Sequence, residues 1–274
     1  MINAFKLTKR LLYLVLFPVY FVISIGLTNL TDKVFLSFAI ALVFLIIGIL
    51  ALEFLARKKY ADKANLLTDK CDPEAYRDFL LEMLTKKLSK DDVIQVQLHL
   101  SYAYYYCGDF QQMKYILDGI DLRQLESKKK NIKFENLKFE YYYRWFFYFL
   151  KVEDIESAEK TLDIIDNLLS SSEGVLREMN ESSVRMKHIS LDCRKGEIPD
   201  IEEKVKYESE IDKMLRGDKM FYKVSDNNFL GDYYLRNGMN DKAKECFEFV
   251  VQNGNKLYMV KEAELKLEEL KKEK

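Results

Sequence analysis

The sequence predicts an all-α protein in which two transmembrane helices are followed by an α-solenoid of helix pairs. Three observations lead there: two uncharged apolar stretches near the N-terminus, apolar residues spaced by three and four through the remainder, and a helix-pair pattern that returns several times.

The membrane anchor occupies residues 1–56. Leu11 to Thr31 and Val34 to Leu52 carry no charged side chain, and each stretch is near the ~20 residues with which an apolar helix crosses ~30 Å of hydrocarbon. Spans are expected at about 11–30 and 34–54. Only Asp32-Lys33 separates them, so they form a tight antiparallel hairpin turning between Thr28 and Lys33. Pro18 bends the first span, which lipid-embedded helices tolerate. Lys6, Lys9 and Arg10 precede the hairpin, Arg57, Lys58, Lys59 and Lys63 follow it, and Lys33 alone marks the turn. Positive flanks stay inside, which makes this a multi-pass cell-membrane protein with both termini and residues 57–274 in the cytoplasm. A cleaved signal peptide is the alternative, with Ser24-Ile25-Gly26 as the cleavage site. The apolar run exceeds the ~7–15 residues of such peptides, and the second stretch would still hold the soluble part on the same side. Ser37, Ala41 and Gly48 would allow close approach of the two arms.

Charge divides the chain in the same place. Residues 1–59 hold 7 Lys or Arg and 2 Asp or Glu, which leaves 36 basic against 42 acidic residues beyond them, a net of −6. An acidic part without a dense basic stripe argues against nucleic acid as a partner. Cys71, Cys107, Cys193 and Cys246 form no C-x-x-C pair and read as thiols of a reducing compartment. Richness in Lys, Ile, Asn and Tyr suits a bacterium of low genomic GC content.

Beyond residue 60 there are two prolines, Pro73 and Pro199, and no useful strand-like alternation. Asp72-Pro73-Glu74-Ala75 opens a helix burying Phe79, Leu80 and Leu84, because Asp caps and Pro fits the first turn. The last unit reads Leu230-Gly231, Tyr234, Gly238, Ala243, Phe247. The same spacing returns as Leu100-Ser101, Tyr104, Met113, Leu117, and as Trp145-Phe146, Phe149, Ala158, Leu162. A degenerate copy lies on His188, Asp192, Gly196, Ile201 and Val205, so the anchors 104, 149, 192 and 234 are separated by 45, 43 and 42 residues. The run Tyr141 to Leu150 is too short for a membrane span and contains Arg144; it reads as a first helix gripped on several sides.

This spacing resembles the tetratricopeptide repeat, without its first Trp and last Pro and with steps longer than the usual ~34 residues. The resemblance implies helix pairs stacked into a superhelix, with a concave groove lined by first helices. Its groove positions fall on Gln95, Leu98, Tyr102, Tyr105 and Tyr106, then on Glu140, Tyr143, Phe147, Leu150 and Lys151, and finally on Ser225, Asn228, Asp232, Leu235 and Arg236. Tyr102, Tyr105, Tyr106, Tyr143, Phe147, Asn228, Asp232 and Arg236 are the candidate partner-binding residues. The groove is expected to be aromatic near the membrane and polar at its far end, and it lacks the Lys and Asn clamp that holds a terminal carboxylate in some members. Clustered aromatic side chains need covering, by the chain's own helices or by a partner helix or peptide.

No catalytic or metal-binding constellation stands out. His99 and His188 are far apart in sequence, and no phosphate-binding glycine loop or G-x-S-x-G turn is present. Lys128 to Lys130 is a short basic run. The expected function is therefore a membrane-tethered scaffold or adaptor for protein or peptide segments, with no enzyme activity, cofactor or metal. A sensor of short intracellular peptides is the alternative, and an unrecognised enzyme the third reading.

Overall fold

A computed structural model describes residues 34–123, 132–196 and 200–272, together with a few positions between 18 and 26. Among the described residues the protein is all-helical, with no strand. The helices are α1 (Val34–Thr68), α2 (Pro73–Leu84), α3 (Lys90–Cys107), α4 (Phe110–Asp118), α5 (Ile132–Lys151), α6 (Ile155–Ser170), α7 (Val175–Lys195), α8 (Ile201–Arg216), α9 (Met220–Arg236), α10 (Asn240–Asn253) and α11 (Tyr258–Lys272).

Local chemistry sets where these helices start and stop. Asp72, Asp109 and Asp154 each accept a hydrogen bond at 3.0 Å from the backbone N–H three residues on, capping α2, α4 and α6. Ser89 caps α3 in the same way. The turns that end α3, α5 and α9 share one bonding pattern: the carbonyls of Tyr104, Phe149 and Tyr234 accept from the N–H groups of Asp109, Asp154 and Met239, at 3.0 Å or less. This six-residue closure needs a left-handed residue, supplied by Gly108 at φ +83°, Glu153 at +60° and Gly238 at +70°. The three anchor residues of the sequence pattern thus close three equivalent turns.

Packing follows the same register. Ala158 and Ala243 are fully buried where the second helix meets the first, and so are Ser101 and Phe146 on the first helices. At Gly231 the approach is closest, since a Cβ there would lie 2.6 Å from Phe247 Cε1. The degenerate unit also forms a pair, α7 and α8, with Ile201 and Val205 buried against Ile189 and Cys193. Glu208, buried on α8, accepts from Ser182 Oγ and Arg185 Nε, both at 2.6 Å, and ties the pair together.

The chain closes on itself. One apolar core joins Leu67, Leu80, Val96 and Tyr106 from the first helices to Phe221, Phe247, Val250 and Leu257 from the last. Lys256 N–H donates to the Cys71 carbonyl at 3.2 Å, Asn255 Nδ2 to the Lys70 carbonyl at 2.7 Å, and Lys256 Nζ pairs with Asp72 at 2.9 Å. The row of helix pairs is therefore drawn round until α11 and the α10–α11 turn seat on α2 and α3.

Among the described residues no helix is long and apolar enough to cross a membrane. The expected first span, 11–30, lies outside the described residues except at a few positions, as does the hairpin turn up to Lys33. The expected second span, 34–54, falls on the start of α1, where several side chains, Ser37 and Ala41 among them, also lie outside the described residues. Neither span is shown. No break occurs at the expected 56/57 boundary, because α1 continues to Thr68 and buries Leu67 in the core. On its outer half, Leu42, Val43, Phe44, Ile46, Ile47, Leu50 and Phe54 are all exposed. The Lys128 to Lys130 run lies outside the described residues.

Candidate functional site

The aromatic residues expected to line a groove on α3 and α5 are covered by the chain itself. Tyr105 packs edge-on against Phe110 and Tyr258 with centroids 5.5 Å apart, and lies 5.9 Å from Phe147. Tyr102 and Tyr106 contact each other at 4.6 Å, and both contact Phe221 of α9. Burial pushes the Tyr105 phenol up to about 12, and those of Tyr106 and Tyr258 well above their usual value. These hydroxyls stay protonated and donate, Tyr106 to Tyr102 and Tyr258 to Tyr105, each at 3.2 Å.

Tyr143 is buried beside α7. Its hydroxyl donates to Asn180 Oδ1 at 3.1 Å, and the Lys187 ammonium sits 3.5 Å above its ring and 5.3 Å from Phe147. Cation–π attraction stabilises a buried lysine in such a place. Asp232 pairs with Lys266 of α11, and Lys151 with Glu262 at 2.5 Å. Arg236 is exposed beyond the end of this face. The structure thus joins Tyr102, Tyr105, Tyr106 and Phe147 in one aromatic cluster and places Tyr143 beside Phe147. Asn228 and Asp232 follow along α9, and Arg236 stands outside.

A polar centre lies beside the aromatic cluster. Arg144, only 8% exposed, holds its guanidinium 3.9 Å from the Tyr102 ring centroid, and its Nη2 is 3.9 Å from Glu140 Oε2. That separation is too long for a hydrogen bond. His99 Nδ1 and the Tyr76 hydroxyl share a hydrogen bond at 3.0 Å. Burial lowers the His99 pKa and Arg144 lowers it further, against the opposing pull of Glu140. The ring is therefore neutral. Burial raises the Tyr76 phenol, so that it keeps its proton.

Among the described residues, five buried side-chain atoms on α3, α5 and α9 have no hydrogen-bond partner within the protein: Gln95 Oε1, Glu140 Oε2, Arg144 Nε, Ser225 Oγ and Asn228 Oδ1. Gln95 is one helical turn before His99, and Ser225 is one turn beyond Phe221, which contacts Tyr102.

Four of the five residues sit at positions that the repeat resemblance placed in the groove. Arg144, the most buried of the charged ones, was missed because it falls one place beyond the Tyr143 position. The signal was present as a lone Arg inside an aromatic run, with Glu140 one turn earlier.

His188 Nε2 pairs with Asp166 at 3.0 Å on the surface. Burial raises the thiols of Cys71, Cys107 and Cys246 to about 11 and that of Cys193 to about 12. Among the described residues no group of three or more His, Cys, Asp or Glu is placed to hold a metal ion. No family model, curated protein or solved structure matches this chain. What the fold itself defines is an all-helical protein of paired helices closed by its C-terminal helix.

Proposed function

We propose that this protein is a membrane-tethered adaptor of the tetratricopeptide-like kind, which holds a protein segment at the cytoplasmic face of the membrane. The observation that carries the reading is α1. Its inner end is anchored in the core by Leu67, while its outer half presents apolar side chains around the helix, from Leu42 to Phe54. Seven large exposed apolar residues are unfavourable in water, where each exposed CH₂ forgoes about 0.8 kcal/mol of burial. Hydrocarbon satisfies them in every direction, and the two uncharged stretches with basic flanks supply the rest of the hairpin.

The three equivalent turns support a repeat architecture, and repeat solenoids bind by surface rather than by catalysis. Because the aromatic cluster is covered by Tyr258 and Phe221, a protein segment engages it by displacing α11. A pull-down from detergent-solubilised membranes tests the adaptor role. A specific partner is expected with the full chain and is lost with Tyr102→Ala plus Phe147→Ala, provided circular dichroism shows that variant helical. Recovery of no partner, or of one indifferent to the double variant, contradicts the reading.

The second reading, a sensor of a short intracellular peptide, is favoured by one observation: the unmet polar atoms on α3, α5 and α9. A peptide sensor gains thermal stability from a short ligand alone, whereas an adaptor needs its protein partner.

A further inference from the structure

We infer that the protein segment this adaptor holds is an amphipathic helix that copies one face of α11, carrying an aromatic ring, a carboxylate and an ammonium on successive turns. The inference rests on the adaptor reading and names the recognition element of its partner.

The pattern is Tyr258, Glu262 and Lys266, spaced by four residues and therefore aligned on one face of α11. Each reaches a different helix of the expected groove. The Tyr258 hydroxyl donates to that of Tyr105 on α3 at 3.2 Å, and its side chain lies against the α3–α4 turn, where a Cβ on Gly108 would come within 3.0 Å of the Tyr258 Cβ. Glu262 accepts from the Lys151 ammonium on α5 at 2.5 Å. Lys266 donates to Asp232 on α9. Tyr105, Lys151 and Asp232 all stand at positions that the repeat resemblance assigned to the groove. An amphipathic helix laid across such positions is a recurring mode of peptide recognition, and here the chain's own helix displays the chemistry that fits.

Charge sets the order of the groups. Lys151 calls for a carboxylate and Asp232, one helical turn further along the bound face, calls for an ammonium. A uniformly acidic segment would bring a carboxylate against Asp232, and a uniformly basic one an ammonium against Lys151. An acid followed four residues later by a base satisfies both, and the ring one turn earlier packs edge-on against Tyr105 and Phe110.

The hold on α11 is of a kind that another helix can take over. Both ion pairs keep between about a fifth and a third of their side-chain exposure, so water and salt weaken them. The backbone leading into α11 is tied down at the α10–α11 turn, where Lys256 N–H meets the Cys71 carbonyl, and an incoming helix competes for the side-chain contacts beyond it.

The test uses the full-length chain purified in detergent and a fluorescent synthetic peptide of residues 254–274, read by anisotropy. The chain's own α11 competes at about millimolar effective concentration, so the peptide is expected to bind at least tenfold more tightly to the chain carrying Tyr258→Ala with Glu262→Ala than to the native chain. Circular dichroism checks that this variant is helical, and Glu262→Gln alone replaces it if helix is lost. In the same background Lys151→Glu is expected to weaken the native peptide at least tenfold, and a peptide carrying Glu262→Lys is expected to restore the binding.

The inference is overturned if the peptide binds neither chain, if Lys151→Glu leaves its binding unchanged, or if the Glu262→Lys peptide restores nothing. It is also overturned if the native chain proves to be a dimer linked by exchanged α11, which would make a second copy the occupant. A partner still recovered in the pull-down after the peptide has failed would remove this recognition element and leave the adaptor role standing.

Discussion

Tyr258, the first residue of the last helix, sets its hydroxyl 3.2 Å from that of Tyr105, near the end of α3. These residues are 153 positions apart in sequence, and their contact turns a row of helix pairs into a closed arrangement. Lys151 reinforces it, with its ammonium 4.7 Å from the Tyr258 ring centroid and paired with Glu262 one turn further along α11. The aromatic face that a solenoid would leave open is therefore occupied from within.

Tyr258→Ala removes the ring that covers this face. Large-to-small changes of packed aromatics cost about 3–5 kcal/mol, and because Tyr258 keeps some exposure the expected loss is about 2–4 kcal/mol, together with increased binding of a hydrophobic dye in the folded state. Urea titration and dye fluorescence measure both. A variant as stable as the native chain and dark to dye would mean that α11 does not seal the cluster.

Gly231→Ala tests the closest helix approach. The added methyl would meet Phe247 at 2.6 Å, and overpacking of this kind costs about 1–3 kcal/mol, more than Ala regains through its higher helix propensity of about 1 kcal/mol. Net destabilisation in chemical denaturation is expected. Increased stability would show that α9 and α10 are less tightly apposed.

A pH dependence follows from His99. Its folded pKa is lowered by burial, so the unfolded chain takes up a proton first as the pH falls. Stability is then expected to be full above the unfolded value of about 6.5 and to decline as the pH drops below it. Denaturation midpoints between pH 5 and 8 check this. In His99→Asn the decline should shrink, and an unchanged pH profile would contradict a buried neutral His99.

The four thiols, all raised to about 11–12 by burial, are expected to react slowly with a thiol reagent at pH 7–8 and rapidly once the chain is unfolded in urea, because the thiolate is the nucleophile. Fast reaction of any one in the folded protein would show a local opening there.

The sequence revealed the features that local chemistry dictates. Asp72 announced a helix start through its carboxylate and the proline after it, while Asp109 and Asp154, which cap α4 and α6 in the same way, went unread. Gly108 and Gly238 announced the tight turns because left-handed backbone favours glycine. The positions that the tetratricopeptide resemblance assigned to a groove include Gln95, Glu140, Ser225 and Asn228, each of which holds a buried polar atom. Closure was not legible: it depends on Tyr258 finding Tyr105 and on Lys256 finding Cys71, and no periodicity encodes pairings across such separations. Arg144 escaped because a fixed register cannot anticipate a side chain that turns inward from one place further along. The continuation of α1 through residue 57 was hidden by a change of composition, from apolar to basic, inside one unbroken helix.

Membrane attachment is the claim on which the proposed role most depends, and alkaline extraction of membranes from cells making the full-length chain measures it directly. The protein is expected to remain in the pellet after washing at high pH and high salt and to be released only by detergent. Removal of residues 1–56 should place the remainder in the supernatant. Full-length protein released by the alkaline wash alone would contradict the account.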